Sequence, residues 1–370
     1  MTDTYTNRCN GLEAANLSVS EFLGETHNPK TFLNKNIYRR NGFGKMQGEL
    51  KIISGTANKS LAEEVAKHLK VKLTPTDTHK FSDGEIYVRI LESVRGSDIY
   101  VIQPTSPDAN LNLMELLITI DALKRSSPER ITAVIPYYGY SRQDRKAKAR
   151  EPISAKLVAK MIEAAGTDRV MTFELHVDQV QGFFDIPSDN LDLRPIFAEY
   201  LLNKKFKDAV IVASDVGGAK RARSIAEVIH APIAIIDKRR DELGMVKAEH
   251  VIGDVKGKTT ILVDDIIDTA GTITEAAAIL KNEGAKETYV LATHPVLSGH
   301  AIERLQNSDI KEVIVTNTIE LPKEKIINKI KIISIAPLLS ETIRRQHEGT
   351  SMGAVYDNLY EKIRKKEGIK

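Results

Sequence analysis

The run Val263-Asp264-Asp265-Ile266-Ile267-Asp268-Thr269-Ala270-Gly271-Thr272 is the segment best suited to chemistry. An apolar strand pattern enters it and a helical pattern leaves it. Two adjacent acids and a loop of small residues lie between. Free backbone N–H groups at a helix start, joined by threonine hydroxyls, can hold a phosphate. Gly271 lets a ligand approach the backbone closely. Two carboxylates beside a phosphate repel it, but they can accept hydrogen bonds from vicinal sugar hydroxyls. The plain alternative is a solvated acidic turn with a threonine cap. The order of strand, acid pair and Asp-Thr-Ala-Gly-Thr favours a sugar phosphate.

Four further segments end strands or open turns. Phe81-Ser82-Asp83-Gly84-Glu85 offers an aromatic face for a base and carboxylates for an exocyclic amine, although taken alone a plain turn before strand 86–90 explains it better. Tyr140-Ser141-Arg142-Gln143-Asp144-Arg145-Lys146 is a cationic cluster whose arginine forks suit polyphosphate. His176 follows strand 170–173, and Asp215 follows strand 209–212 in Ser214-Asp215-Val216-Gly217-Gly218. A histidine and a carboxylate can both ligate a metal, and the carboxylate suits a hard cation such as Mg2+. Asp215 also fits as a helix cap. Asp237-Lys238-Arg239-Arg240 ends an apolar strand with three cations, which repel one another unless an anion answers them. Gly253-Asp254-Val255-Lys256-Gly257-Lys258-Thr259 imitates a P-loop. It is one residue short between its glycines and precedes a strand rather than a helix, so it reads as a turn.

The elements that must position these groups alternate. Strands are expected at 50–54, 99–102, 131–135, 209–212, 260–263, 311–316 and 332–335. Helices are expected through Leu61, Val65 and Leu69, then at 111–123, after Pro152, and at 219–229 and 272–280. Continuous apolar strands of this kind are buried on both faces, which means mostly parallel sheets flanked by helices, an α/β fold. Ligands then bind at the carboxyl ends of the strands. Residues 1–45 show no sustained period and read as a disordered extension, with Met46 a true or alternative start. Segment 185–195, with two prolines and three aspartates, is the expected domain boundary. The domains are thus 46–188, rejoined by 350–361, and 189–349, followed by a solvated basic tail at 362–370.

At 370 residues the chain has room for two domains. Fifty-three basic residues against 50 acidic ones leave a net charge of +3, which gives no reason to expect nucleic acid or an anionic membrane as partner. Cys9 is the single cysteine, so an internal disulfide and a cysteine zinc cluster are excluded, and a reducing, cytoplasmic location is expected. No apolar run reaches the roughly 18 residues that a spanning helix needs.

Together these segments, in this order from about Lys51 to about Tyr356, resemble the class I ribose-phosphate pyrophosphokinases, also called phosphoribosyl diphosphate (PRPP) synthetases. The 264–272 loop resembles the PRPP loop of the phosphoribosyltransferase fold. The resemblance implies two similar phosphoribosyltransferase-like α/β domains and transfer of the diphosphoryl group of ATP to the anomeric hydroxyl of ribose 5-phosphate, giving PRPP and AMP. It implies that Phe81, Asp83, Gly84 and Glu85 contact ATP across a subunit interface, together with Arg142 and Gln143. Asp264, Asp265, Asp268, Thr269, Ala270, Gly271 and Thr272 would hold ribose 5-phosphate, with Arg240. Lys238 and Arg240 would be catalytic, on a mobile loop, and His176 and Asp215 would bind Mg2+. A homohexamer built from dimers is implied, with a phosphate or ADP regulatory site at subunit contacts.

Two departures stand out. Ser351-Met352-Gly353 replaces the usual Ser-Val-Ser, removing a hydroxyl from the regulatory region, and His294-Pro295 replaces His-Gly. A non-enzymatic relative of the same fold would be expected to lack part of the set Lys238, Arg240, His176 and Asp215. A PRPP-consuming transferase would lack the segments at Phe81, Arg142 and Lys238.

Overall fold

The computed structural model describes residues 46–240 and 246–367, leaving aside the side chains of 238–240, 246–249, 362 and 365–367. The expected extension at 1–45 lies outside the described residues. In the first half, β1 (Leu50–Ser54), α1 (Lys59–Leu69), a hairpin of β2 (Thr76–Lys80) and β3 (Ile86–Ile90), β4 (Asp98–Ile102), α2 (Ala109–Arg125), β5 (Arg130–Ile135), α3 (Ser154–Ala165), β6 (Arg169–Phe173), β7 (Ser188–Leu191) and α4 (Arg194–Lys204) follow one another. The second half runs β8 (Ala209–Ala213), α5 (Ala219–Val228), β9 (Ile233–Arg240), β10 (Val246–Ile252), β11 (Thr259–Ile267), α6 (Gly271–Asn282), β12 (Glu287–Pro295), α7 (Ala301–Asn307), β13 (Ile310–Thr316) and β14 (Ile330–Ile333). Helices α8 (Ala336–Glu348) and α9 (Gly353–Glu367) close the chain.

Local signals explain the boundaries. Asn58 caps α1 by accepting the Leu61 N–H at 3.2 Å, and Lys70 ends the helix in the left-handed region. Leu61, Ala62, Val65 and Ala66 form its buried stripe. Strands β4 and β5 are buried along their whole lengths, as strands covered on both faces must be.

The first sheet has the order β1-β4-β5-β6-β7, all parallel. The second has the order β10-β9-β8-β11-β12-β13-β14, parallel except for β10. The two orders correspond, strand for strand, from β1 with β8 to β7 with β14, so the topology is duplicated. Side chains alternate along each strand. Ile52, Tyr100 and Ile102 of the first sheet join Ile211, Ile261 and Leu291 of the second in one apolar layer between the sheets. Ile53, Ile99 and Val101 face outward under α2 and α3, and Val210, Val212 and Leu262 face outward under α6 and α7.

The pseudo-equivalent loops after β1 and β8 differ. In the first, the buried Glu115 carboxylate accepts the Thr56 N–H at 2.6 Å and the Thr56 hydroxyl, and Gln103 accepts the Ala57 N–H at 3.1 Å. An internal carboxylate therefore fills the turn before α1. In the loop after β8 the carboxylate comes from the loop itself, where Asp215 Oδ1 accepts the Gly218 N–H at 2.8 Å.

Four expectations need adjustment. Segment 185–195 contains β7, which pairs with β6 and extends the first sheet to Leu191. Its polar sequence, Ser188-Asp189-Asn190, hid a strand that buries only Leu191. Strand β14 starts and ends two residues earlier than expected, because Ser334 and Ile335 belong to the start of α8. The tail from 362 continues α9 to Glu367 and buries Ile363, so this part is not a free solvated tail. Strands β2 and β10 carry too many charges to show an apolar run. The chain returns to its first half earlier than residue 350, because α8 already packs on α1. His347 Nδ1 lies 2.9 Å from Asp98 Oδ2, and the Ser340 hydroxyl reaches the Val65 carbonyl at 3.4 Å. Helix α9 packs on α4, where the Tyr356 hydroxyl accepts the Asp192 N–H at 2.9 Å.

Candidate active site

The carboxyl end of β11 delivers the acid pair. Asp265 is buried and Asp264 half-buried. Arg221, on α5, reaches Asp265 at 3.2 Å and Asp264 at 4.0 Å, and the Ser214 hydroxyl meets Asp264 at 3.3 Å. Burial, then the charge of Asp265, push the Asp264 carboxyl up to about 7. Burial opposes the charged form of Asp265 as well. The His176 hydrogen bond and the Arg221 charge outweigh it and hold Asp265 well below the ordinary carboxylate range. One member of the pair thus stays charged while the other titrates near neutrality.

His176 follows β6 on an exposed turn. Its Nδ1 lies 2.7 Å from Asp265 Oδ2, a bond that raises the imidazole above its ordinary range. A carboxylate on one ring nitrogen aims the other outward, the arrangement used by metal-ligating histidines. Asp215 is exposed, and its Oδ1 accepts the Gly218 N–H at 2.8 Å just before α5. This is a turn bond rather than the helix cap read from the sequence, since Gly218 is the N-cap of α5 and no side chain caps it. The described residues form no cluster of three metal-binding side chains.

The loop between β11 and α6 is held open. Ala270 sits at φ 60° and is buried, a left-handed conformation that costs an alanine about 1–2 kcal/mol. Arg304 Nη1 donates to the Thr269 carbonyl at 2.8 Å, which occupies that acceptor. Thr269 and Thr272 are exposed. A Cβ built on Gly271 would meet only Arg304 and Thr269, at 3.6 and 3.8 Å. Nothing among the described residues requires glycine there. The first N–H groups of α6 have no intrahelical partner.

Arg142 crosses from the first half to bind Asp268 at 2.8 Å. Burial of Arg142 is outweighed by this bond, which raises its pKa, while Ser298 and Arg142 together lower Asp268 against burial. Gln143 accepts the Ser154 hydroxyl at 2.6 Å. Both line a cavity of about 360 Å3 together with Asn110, Tyr137, Asp268 and Ser298. The structure thus gathers His176, Arg142, Gln143 and the acidic loop around the facing strand ends.

Phe81, Asp83, Gly84 and Glu85 are not part of that gathering. They form the tip of the β2–β3 hairpin, where Gly84 at φ 95° turns the chain and Glu85 N–H bonds to Asp83. Phe81 is 49% exposed and touches His79 and Tyr87 edge-on. Lys238 and Arg240 end β9, but their side chains lie outside the described residues. Sequence reasoning overlooked Arg221, Ser298 and Arg304. Arg221 had a usable signal, since it lies in the first turn of the helix that follows Ser214-Asp215.

Comparisons with known proteins agree along the chain. Residues 50–166 match the family described as the N-terminal domain of ribose phosphate pyrophosphokinase, and residues 246–357 the phosphoribosyl synthetase-associated domain. The chain is 57% identical over 308 residues to a ribose-phosphate pyrophosphokinase of Caldanaerobacter subterraneus subsp. tengcongensis, covering 83% of this chain and 98% of that protein. With the Bacillus subtilis protein of the same name the identity is 53% over 307 residues, covering 83% and 97%. The crystal structure of a phosphoribosylpyrophosphate synthetase from Mycobacterium smegmatis superposes with a TM-score of 0.77 at 43% identity, covering 84% of this chain and 99% of that one.

Proposed function

Because this chain belongs to the ribose-phosphate pyrophosphokinase family, its reaction is the synthesis of PRPP, and we propose the following division of labour among its residues. ATP and ribose 5-phosphate are the substrates. The sugar's anomeric oxygen attacks the β-phosphorus of ATP, the α,β bridging bond breaks, and AMP leaves with the bridging oxygen. The observation that carries this reading is the meeting of Asp264, Asp265, His176 and Arg221 beside the Ala270 loop.

The N–H groups opening α6, with Thr269 and Thr272, bind the 5-phosphate. Asp264 and Asp265, with Asp268 closing the loop onto Arg142, accept from the ribose hydroxyls and orient the sugar. Transfer of this kind depends on positioning and charge neutralisation more than on covalent help. Lys238 and Arg240 stabilise the charge that grows on the transferred group, and Arg240 also steadies the sugar phosphate. His176 and Asp215 would hold Mg2+, which when bound neutralises phosphate oxygens and lowers the barrier to an incoming nucleophile. Arg142 and Gln143 bind ATP from the same chain. Phe81, Asp83 and Glu85, bonded only within their own hairpin among the described residues, serve the ATP site of a neighbouring subunit in a homohexamer. Gly353 opens α9 without a hydroxyl, so phosphate or ADP regulation is weakened.

Among the described residues no helix is long and apolar enough to cross a membrane, and a cytoplasmic setting is the expectation. The direct test supplies purified protein with ATP, Mg2+ and ribose 5-phosphate and follows AMP and PRPP. Equal amounts of both products are expected, and Lys238→Ala should reduce turnover by about 100-fold or more. Absence of PRPP from the wild-type reaction would overturn the reading.

A further inference from the structure

His294 stands at the end of β12, beside Ile266 of β11, and is 2% exposed. Its Nε2 lies 3.2 Å from the Phe173 carbonyl and 3.2 Å from the Glu174 carbonyl. Carbonyls only accept, so Nε2 carries a proton. Nδ1 lies 3.0 Å from the Thr318 hydroxyl, which is itself fully buried and can donate to it. The Thr318 hydroxyl also lies 3.2 Å from the Thr293 carbonyl, which accepts the Thr316 hydroxyl at 2.8 Å, so the Nε2–H tautomer fits with the Thr318 proton turned to Nδ1. Burial drives the ring down to about 4, so it is neutral at working pH. The ring of Tyr137 packs edge-on against it at 5.0 Å.

The two carbonyls lie where the first sheet gives way to the His176 turn. Phe173 ends β6, and Glu174 turns the chain at φ 39°, an unusual conformation for a residue with a side chain. Two residues later His176 meets Asp265. A strand that breaks in this way leaves successive carbonyls pointing out of the ladder, and buried carbonyls need donors. A single N–H from the other sheet supplies both. The residue after His294 is Pro295, whose fixed φ stiffens the β12 end that carries the ring.

We propose that His294 is a positioning residue: from the second sheet it holds the turn that carries His176 and so sets where the His176 ring meets Asp265. It touches no substrate. The inference rests on the reading of His176 as a site residue. A lost supporting hydrogen bond of this kind typically costs about 10–100-fold in metal affinity or activity.

The test compares His294→Gln, whose amide nitrogen reaches the place of Nε2, with His294→Asn, whose amide reaches only the place of Nδ1. Turnover, Mn2+ affinity by electron paramagnetic resonance and metal-free binding of ribose 5-phosphate by calorimetry are measured on each. The Gln variant should stay within about fivefold of wild type. The Asn variant should lose about 10–100-fold in turnover and Mn2+ affinity, while both bind ribose 5-phosphate within about twofold of wild type. If Asn proves too unstable to purify, His294→Met, which has no N–H, takes its place with the same expectations. Turnover equal to wild type in the variants lacking the Nε2 donor, or equal losses of turnover and sugar binding, overturns the proposal. His176→Ala separates the underlying reading. Unchanged Mn2+ affinity there removes the metal from His176, while the Gln-to-Asn turnover ratio still decides the role of His294.

Discussion

His176 Nδ1 and Asp265 Oδ2 lie 2.7 Å apart although 89 positions separate them and each follows or ends a strand of a different sheet. The bond ties the first half's strand end to the acid pair of the second. Asp265→Asn replaces a charged acceptor with a neutral amide and frees the imidazole. Turnover should fall about 10–100-fold with the circular dichroism of the fold unchanged. Steady-state kinetics at saturating substrates checks this, and wild-type turnover would remove the pair from the mechanism.

Asp264 predicts a pH-dependent stability. Its folded pKa is raised to about 7 from an ordinary value of 3.8, so the folded chain keeps a proton that the unfolded chain releases. This contribution is full below about pH 4 and is lost as pH rises through 7. An asparagine at this position has no proton to lose. The stability of Asp264→Asn relative to wild type should therefore increase between pH 5 and pH 8, by on the order of 1–3 kcal/mol. Urea unfolding at both pH values measures it. A constant difference would mean that the carboxyl is not raised.

The hairpin tip predicts complementation between chains. Phe81→Ala should raise KM for ATP, since an exposed ring that among the described residues meets only its own hairpin is free to stack on a base. Mixed with inactive Lys238→Ala after dissociation and reassembly, it should yield some wild-type sites if ATP is bound between subunits. Activity that never exceeds the sum of the separate variants would confine the site to one chain.

Glu115 predicts a stability defect without a catalytic one. Both of its oxygens accept, from the N–H and hydroxyl of Thr56, so Glu115→Ala leaves the Thr56 N–H without its acceptor in a part-buried turn. A loss of about 1–3 kcal/mol is expected. Denaturant titration would show it, with KM for ribose 5-phosphate unchanged below the transition.

The sequence made the buried strands legible because β4, β5 and β11 each carry an unbroken apolar run. It made the sugar-phosphate loop legible because acids, threonines and glycine follow such a run directly. Strands β7 and β10 were hidden, one by Asp189 and Asn190 and the other by alternating charges. Pairings across the two halves were the least readable part. Arg142 with Asp268, and His294 with the Phe173 carbonyl, join residues more than a hundred positions apart, and no local pattern announces such partners. Arg221 went unnoticed because one arginine on an amphipathic helix looks like any solvated cation until the acids beside it are placed.

The apolar layer shared by both sheets has a further consequence. Each half lends its inner face to the other, so a chain severed near residue 191 would yield two fragments with bare greasy flanks rather than two working modules. Melting should accordingly be a single event, and whatever copying produced the twofold topology could persist only while the two copies stayed welded together.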